Sequence, residues 1–304
     1  MQRAEKRFQA ILRKSKLGEI PMAEISQLDI SKLLCKRRKA RMSSIKKIAL
    51  VTFSLVLAVW VFGEKHSQCV LDMPIDASKA FREVVDCGIC KNLGGVDKVM
   101  NISPSDFEER YVAKARPVVV LDGTRGWSAV DNFDFSFFKK LYSSYPKRKQ
   151  ECQFFPYKTE FESLREALNM SEDRSRLEPK TTPWYIGWSN CNDDAGKVLR
   201  EYYDRPYFLP ETSENMALSW IFMGGPGDGA HMHVDNVHYP SWQAQLRGRK
   251  KWRIAPPPEC LYSCKEFQVV VNPGEIIVVD TNRWYHQTHI LPGDISVTIG
   301  SEFD

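Results

Sequence analysis

The chain of 304 residues predicts a mainly β domain, a sandwich or barrel, standing behind one N-terminal membrane-spanning helix. Three observations carry this expectation. From Ala217 onward, short apolar runs recur between turn residues, the pattern of all-β sandwiches and barrels. No amphipathic segment of helical length interrupts them. Ile48 to Gly63, IALVTFSLVLAVWVFG, carries no charged residue. The composition, 43% hydrophobic and 27% charged, excludes a disordered or collagen-like chain.

The N-terminal 47 residues form a basic tail. They hold 14 Lys/Arg against 4 Asp/Glu, a net of +10, so the overall +5 leaves −5 for the remainder. The larger part is mildly acidic, which argues against nucleic-acid binding. As a helix, residues 48–63 would span about 24 Å, close to the roughly 30 Å of bilayer hydrocarbon. Lys46, Lys47, Glu64 and Lys65 flank the run and can snorkel to the interfaces. The basic cluster before it places 1–47 in the cytosol by the positive-inside rule. A cleaved signal peptide does not fit so long a basic region with no A-x-A site after the run. The expectation is an uncleaved signal-anchor and a type II protein of the endoplasmic reticulum or Golgi, its larger part lumenal.

Two further features suit a lumen. Asn101 and Asn169 stand in N-x-S glycosylation sequons, the first followed by Pro104. Seven of the eight cysteines follow the apolar run: Cys69, Cys87, Cys90, Cys152, Cys191, Cys260 and Cys264. Cys87-Gly88-Ile89-Cys90 has C-x-x-C spacing, but no thioredoxin-like βαβ pattern surrounds it and no second C-x-x-C completes a zinc site. Structural disulfides are therefore expected, with connectivity left open.

Residues 64–104 read as a lumenal stem and 105–304 as the catalytic domain. Pro117–Leu121 is a buried-strand pattern ended by Asp122-Gly123, and Phe135–Tyr142 begins an amphipathic helix. Residues 143–183 are polar and loop-rich, with no strand assigned. Strands are then expected at 184–188, 217–223, 242–246, 251–255, 267–271, 276–279 and 295–299.

Five of the six histidines fall within residues 231–289. His233-Val234-Asp235 is an H-x-D motif, and on a strand positions i and i+2 share a face. One imidazole and one carboxylate can then reach a single metal. His286, after a Pro-Gly turn and an apolar strand, can supply a second imidazole. Two His and one carboxylate on one face form the facial triad of non-haem Fe(II) oxygenases. H-x-D alone is common, and a pair of loop histidines is the rival reading.

Longer motifs narrow the choice. HVDNVHYPSWQAQLRGRKKW (His233–Trp252), VNPGEIIVVDTNRWYHQT, TTPWYIGWSN, LREYYDRPYFLP and RPVVVLDGTRGW together resemble the Jumonji-C, cupin-like, Fe(II)- and 2-oxoglutarate-dependent oxygenases over roughly 105–303. The likeness is greatest to the bifunctional arginine demethylase and lysyl hydroxylase group. The resemblance implies a double-stranded β-helix (cupin or jelly roll) with flanking helices. It implies Fe(II) on His233, Asp235 and His286, and 2-oxoglutarate as cosubstrate. Lys250 would bind the distal carboxylate, with Tyr185 and Thr298 sharing the task. A protein or peptide substrate, hydroxylated, follows from the same likeness.

The chain departs from the family pattern at three places. Ala230 stands where Thr is usual, His231 makes the motif H-x-H-x-D and could compete as ligand, and Gly300 replaces a polar residue. Ala230 and Gly300 motivate a rival reading, a catalytically inactive cupin binding module. A Golgi glycosyltransferase also suits a type II anchor, but the chain has no D-x-D motif to hold a nucleotide-sugar metal.

Overall fold

Val118, Val119 and Val120 are all fully buried, which a strand requires only when both of its faces are covered. That strand belongs to a two-sheet core in the computed structural model, which describes residues 84–145, 153–213 and 219–304. The basic tail at 1–47, the apolar run at 48–63 and the adjoining 64–83 lie outside the described residues. Among the described residues, no helix is long and apolar enough to cross a membrane.

In chain order the strands are β1 (Asp97–Val99), β2 (Val118–Val120), β3 (Phe154–Lys158), β4 (Tyr185–Asn190), β5 (Ser219–Gly224) and β6 (Gly227–Asp228). β7 (Ser241–Arg247), β8 (Lys250–Ala255), β9 (Phe267–Val271), β10 (Ile276–Val279), β11 (Tyr285–Ile290) and β12 (Ser296–Glu302) follow. Eight form one sheet in the order β1-β2-β10-β7-β12-β5-β4-β3, and four form the other in the order β6-β11-β8-β9. Only the β1–β2 pair is parallel among these ladders. The architecture is mainly β, as expected, and its sheets suit a cupin or jelly roll.

Side chains two apart explain how the sheets meet. Val119, Ile277 and Val279 pack with Trp252, Ile254, Phe267 and Val271 of the small sheet. Val118, Val120, Ile276 and Val278 face the opposite way, into a second cluster with Phe133, Phe138 and Leu141. The helix Phe135–Ser144 buries Phe135, Phe138 and Leu141 on one stripe, and Asp134 caps it by accepting the Phe137 N–H at 2.7 Å. Pro156 sits in β3, which is an edge strand, where its missing N–H breaks no ladder.

The compact unit runs from Val85 to Asp304, so the domain begins before residue 105. Residues 85–104, expected as stem, contribute β1 and are stapled to the β8–β9 connection. Cys87 is bonded to Cys260 and Cys90 to Cys264. The expected structural disulfides thus link distant segments rather than the two cysteines of C-x-x-C. Cys191 is disulfide-bonded as well, which accounts for every described cysteine.

Candidate metal centre and carboxylate pocket

Burial alternates along β11: His286, Thr288 and Ile290 face inward while Tyr285, Gln287 and His289 face outward. β8 alternates in step, with Lys250, Trp252 and Ile254 inward. The antiparallel register sets Ile254 opposite His286, Trp252 opposite Thr288 and Lys250 opposite Ile290. His286 and Lys250 therefore line one interior. They stand four residue steps apart, about 13 Å along the strands.

The H-x-D segment joins this interior through backbone bonds. The His233 N–H donates to the His286 carbonyl at 3.1 Å, and the His286 N–H donates back at 2.8 Å. The Asp235 N–H is fixed by the Thr281 carbonyl at 2.8 Å. One ligand atom from each of His233, Asp235 and His286 then lies within 4.8 Å of the others. Nε2 of His233 is 3.3 Å from Asp235 Oδ1, and Nε2 of His286 is 3.9 Å from Oδ2.

Both rings are oriented for metal binding. Nδ1 of His233 lies 2.6 Å from the His231 carbonyl, and Nδ1 of His286 lies 3.3 Å from that of Trp284. A carbonyl only accepts, so each Nδ1 carries a proton and each Nε2 is the atom turned toward the centre. Burial holds His286 neutral, its pKa pushed down to about 4. For His233, burial opposes the charge, but hydrogen bonds to Asp235 and the His231 carbonyl outweigh it and raise the pKa. Burial likewise opposes ionisation of Asp235, yet His233 and His286 hold its pKa below the usual carboxylate value. Trp252 stacks on the His286 ring at 5.8 Å between centroids. Two imidazoles, His233 giving up its Nε2 proton when a metal binds, and one carboxylate suit a divalent transition metal such as Fe(II).

At the other end of the interior, Lys250 is fully buried. Its Nζ donates to Thr298 Oγ1 at 2.9 Å and lies 5.6 Å from the ring centres of both Tyr185 and Phe222. No carboxylate pairs with it among the described residues. Burial alone drives its pKa down to about 7. A buried ammonium without a counter-ion is costly, and an anionic ligand would relieve that cost. Tyr185 is buried beside it, its pKa raised by burial. The structure brings His233, Asp235 and His286 together at one end of this interior, and Lys250, Thr298 and Tyr185 together at the other.

The departures from the family pattern have physical explanations. The Ala230 N–H donates to Thr288 Oγ1 at 3.0 Å, so Thr288 brings a hydroxyl against the position where the side-chain hydroxyl is missing. A Cβ on Gly300 would lie 2.4 Å from the Trp242 carbonyl oxygen, because β7 approaches β12 closely there. His231 is exposed, stands outside the triad and contributes its carbonyl. His289 faces outward onto Asp228 at 3.1 Å. Glu302 was not singled out from the sequence; its carboxylate accepts the N–H groups of His238 and Tyr239, both at 2.9 Å, and fixes the loop after Asp235. Thr288 was likewise missed, and Trp252 was read only as the end of a motif.

Comparison with known proteins finds curated relatives, solved structures and one family profile. The arginine-specific demethylase JMJ20 of Arabidopsis thaliana is 24% identical over 67% of this chain and 56% of its own length. The bifunctional arginine demethylase and lysyl-hydroxylase psr-1 of Caenorhabditis elegans is 23% identical over 52% of the chain and 40% of its own. The chain spans about half the length of such curated relatives. Among solved structures, the ribosomal oxygenase YcfD of Escherichia coli, in complex with cobalt and succinic acid, aligns over 66% of this chain and 52% of its own. The TM-score is 0.44 and the identity 19%. The family profile described as "Cupin-like domain" matches residues 104–265, a span that holds Tyr185, His233, Asp235 and Lys250. That span is more than half of the 304 residues, and the chain belongs to the cupin-like domain family.

Proposed function

We propose that the chain is an Fe(II)- and 2-oxoglutarate-dependent oxygenase that hydroxylates a protein or peptide substrate. The carrying observation is the pairing, in one interior, of the His233–Asp235–His286 triad with the unpaired buried ammonium of Lys250. Two relatives are by name an arginine-specific demethylase and a bifunctional arginine demethylase and lysyl-hydroxylase, which supports a protein substrate. Iron with 2-oxoglutarate and O2 would supply the oxidative chemistry: one oxygen atom of O2 enters succinate as CO2 leaves, and the other enters a substrate C–H bond.

The chain's own residues supply placement. His233, Asp235 and His286 would hold the metal on one face and leave the opposite face open. The His231 and Trp284 carbonyls fix both imidazole tautomers. Lys250 and Thr298 would bind the distal carboxylate of the cosubstrate, with Tyr185 and Phe222 keeping water away. Trp252 holds the His286 ring in place by stacking. The inactive-module reading rested on Ala230 and Gly300, and both positions leave the triad and Lys250 in place.

The same proposal places Ile48–Gly63 across a membrane, with the cupin-like domain in the lumen of the endoplasmic reticulum or Golgi. The paired cysteines suit that oxidising compartment, and Asn101 and Asn169 are both exposed and open to glycosylation. Two assays test these parts separately. Purified chain with Fe(II) and 2-oxoglutarate should release succinate, and His286→Ala should not. Chain expressed in secretory cells should resist carbonate extraction and lose mass on endoglycosidase treatment, a loss that Asn169→Gln reduces. Succinate release by His286→Ala would refute the metal assignment; an extractable, unglycosylated chain would refute the topology.

A further inference from the structure

The H-x-D segment lies between strands, and the β-bridge from His233 to His286 is its one ladder contact among the described residues. Every second N–H along it nevertheless finds an acceptor on β11 or on the turn that leads into β11. The His233 N–H uses the His286 carbonyl at 3.1 Å, and the Asp235 N–H uses the Thr281 carbonyl at 2.8 Å. The next in the series, the Val237 N–H, donates to the side chain of Asn282, whose Oδ1 lies at 2.9 Å. The chain bends away at this point: the N–H groups of Arg283 and Trp284 both close on the Asp280 carbonyl, at 3.0 and 2.9 Å. A side-chain oxygen therefore takes the place of a backbone carbonyl for Val237.

Asn282 is itself fixed. Its N–H donates to Asp280 Oδ1 at 3.2 Å, and the Asp280 carboxylate pairs with Arg283 at 3.2 Å. Fully buried Trp284 anchors the end of the turn, its indole N–H donating to the Ala115 carbonyl at 2.7 Å. The ligand that this turn serves is the least enclosed of the three. The Asp235 side chain is 32% exposed, against 24% for His233 and 5% for His286. Its placement therefore depends on how firmly its backbone is held. Thr281 holds Asp235 itself, Asn282 holds the chain two residues on, and Glu302 takes over at His238 and Tyr239.

We propose that Asn282 is a positioning residue for the metal, fixing the backbone at Val237 so that the Asp235 carboxylate stands ready for a divalent ion. The inference rests on the metal-centre reading of the triad and does not depend on the cosubstrate. Asn282→Ala removes the acceptor at a half-buried turn position and leaves the sheets in place. Residues 235–237 then gain backbone freedom that metal binding must remove. The dissociation constant of the metal rises about ten-fold or more, the usual effect of losing an outer hydrogen bond at a metal site. Asn282→Asp keeps an oxygen at the same place and restores the affinity.

The test uses the full chain in detergent, titrated with Mn(II) alone, the free ion being read by electron paramagnetic resonance. Wild type, Asn282→Ala, Asn282→Asp and His286→Ala are compared, and amide exchange is followed in the metal-free forms. The expected result is Mn(II) binding about ten-fold weaker in Asn282→Ala, with faster exchange at 235–238 and unchanged exchange in β5, β7 and β12. Asn282→Asp should bind Mn(II) at least as tightly as the wild type. Equal affinity of Asn282→Ala and wild type overturns this inference alone. So does a loss that comes with faster exchange throughout both sheets and that Asn282→Asp does not recover, because that pattern marks a purely structural residue. Wild-type affinity no better than that of His286→Ala overturns the metal-centre reading beneath it.

Discussion

Replacing Lys250 by Met should stabilise the ligand-free domain while destroying the proposed cosubstrate site. Met matches the length of the aliphatic stem and removes the ammonium. The ordinary lysine value of 10.5 falls to about 7 through burial. The difference of 3.5 units, at about 1.36 kcal/mol per unit, sets an upper bound of roughly 5 kcal/mol on the cost of burying this group. A few kcal/mol is the working expectation once the Thr298 hydrogen bond is allowed for. The pH dependence follows from linkage. Between about pH 7 and 10.5 the unfolded chain holds a proton that the folded chain lacks, so stability rises with pH across that window. Below pH 7 both states are protonated and the full cost is present. Urea unfolding of metal-free wild type and Lys250→Met at pH 6 and pH 9.5 reads both effects. Lys250→Met should be the more stable at pH 6, and the gap should narrow by most of its size at pH 9.5. Equal or lower stability of Lys250→Met at pH 6 would refute the idea of a strained, unpaired ammonium held for an anionic ligand.

Three other outcomes follow from the same structure. Cys87–Cys260 and Cys90–Cys264 close nearly the same loop, with separations of 173 and 174 residues. With either bond intact the other closes only a loop of about nine residues. Serine substitution of one pair should cost about 2–3 kcal/mol and of both pairs about 7–8 kcal/mol in chain-entropy terms, measured by urea unfolding. Gly300→Ser should destabilise the fold by at least about 1–3 kcal/mol, because the new Cβ meets the Trp242 carbonyl oxygen at 2.4 Å; an unchanged melting temperature would contradict that packing. Glu302→Ala leaves the His238 and Tyr239 N–H groups without their acceptor. It should cost about 2–3 kcal/mol and speed amide exchange at 236–240 before it affects the rest of the domain.

Strands with apolar faces were legible in the sequence. Phe267–Val271 and Ile276–Val279 form at the expected bounds, and the others shift by a residue or a few at their ends. β11 was not legible as a strand because its inward positions include His286 and Thr288. A strand that serves a polar site breaks the apolar alternation by which strands are recognised. β3 was hidden by Pro156, and β1 is three residues of mostly polar character. With β1 invisible and the disulfide partners unknown, nothing marked 85–104 as part of the domain. The triad was readable because H-x-D offers an imidazole and a carboxylate two residues apart, although the segment lies between strands and is held by a single β-bridge from His233 to His286. Glu302 was unreadable because its role comes from strand order, which sets it against a loop more than 60 residues away in sequence.

The central claim is that His233, Asp235 and His286 hold iron at one end of an interior whose other end, at Lys250, receives the distal carboxylate of 2-oxoglutarate. Anaerobic Fe(II) with 2-oxoglutarate, observed by its charge-transfer absorbance in wild type, His286→Ala and Lys250→Met, tests it most directly. The account predicts a band in the wild type and none in His286→Ala. It also predicts a band in Lys250→Met only at much higher 2-oxoglutarate. A band of unchanged strength in His286→Ala, or unchanged affinity in Lys250→Met, would contradict it.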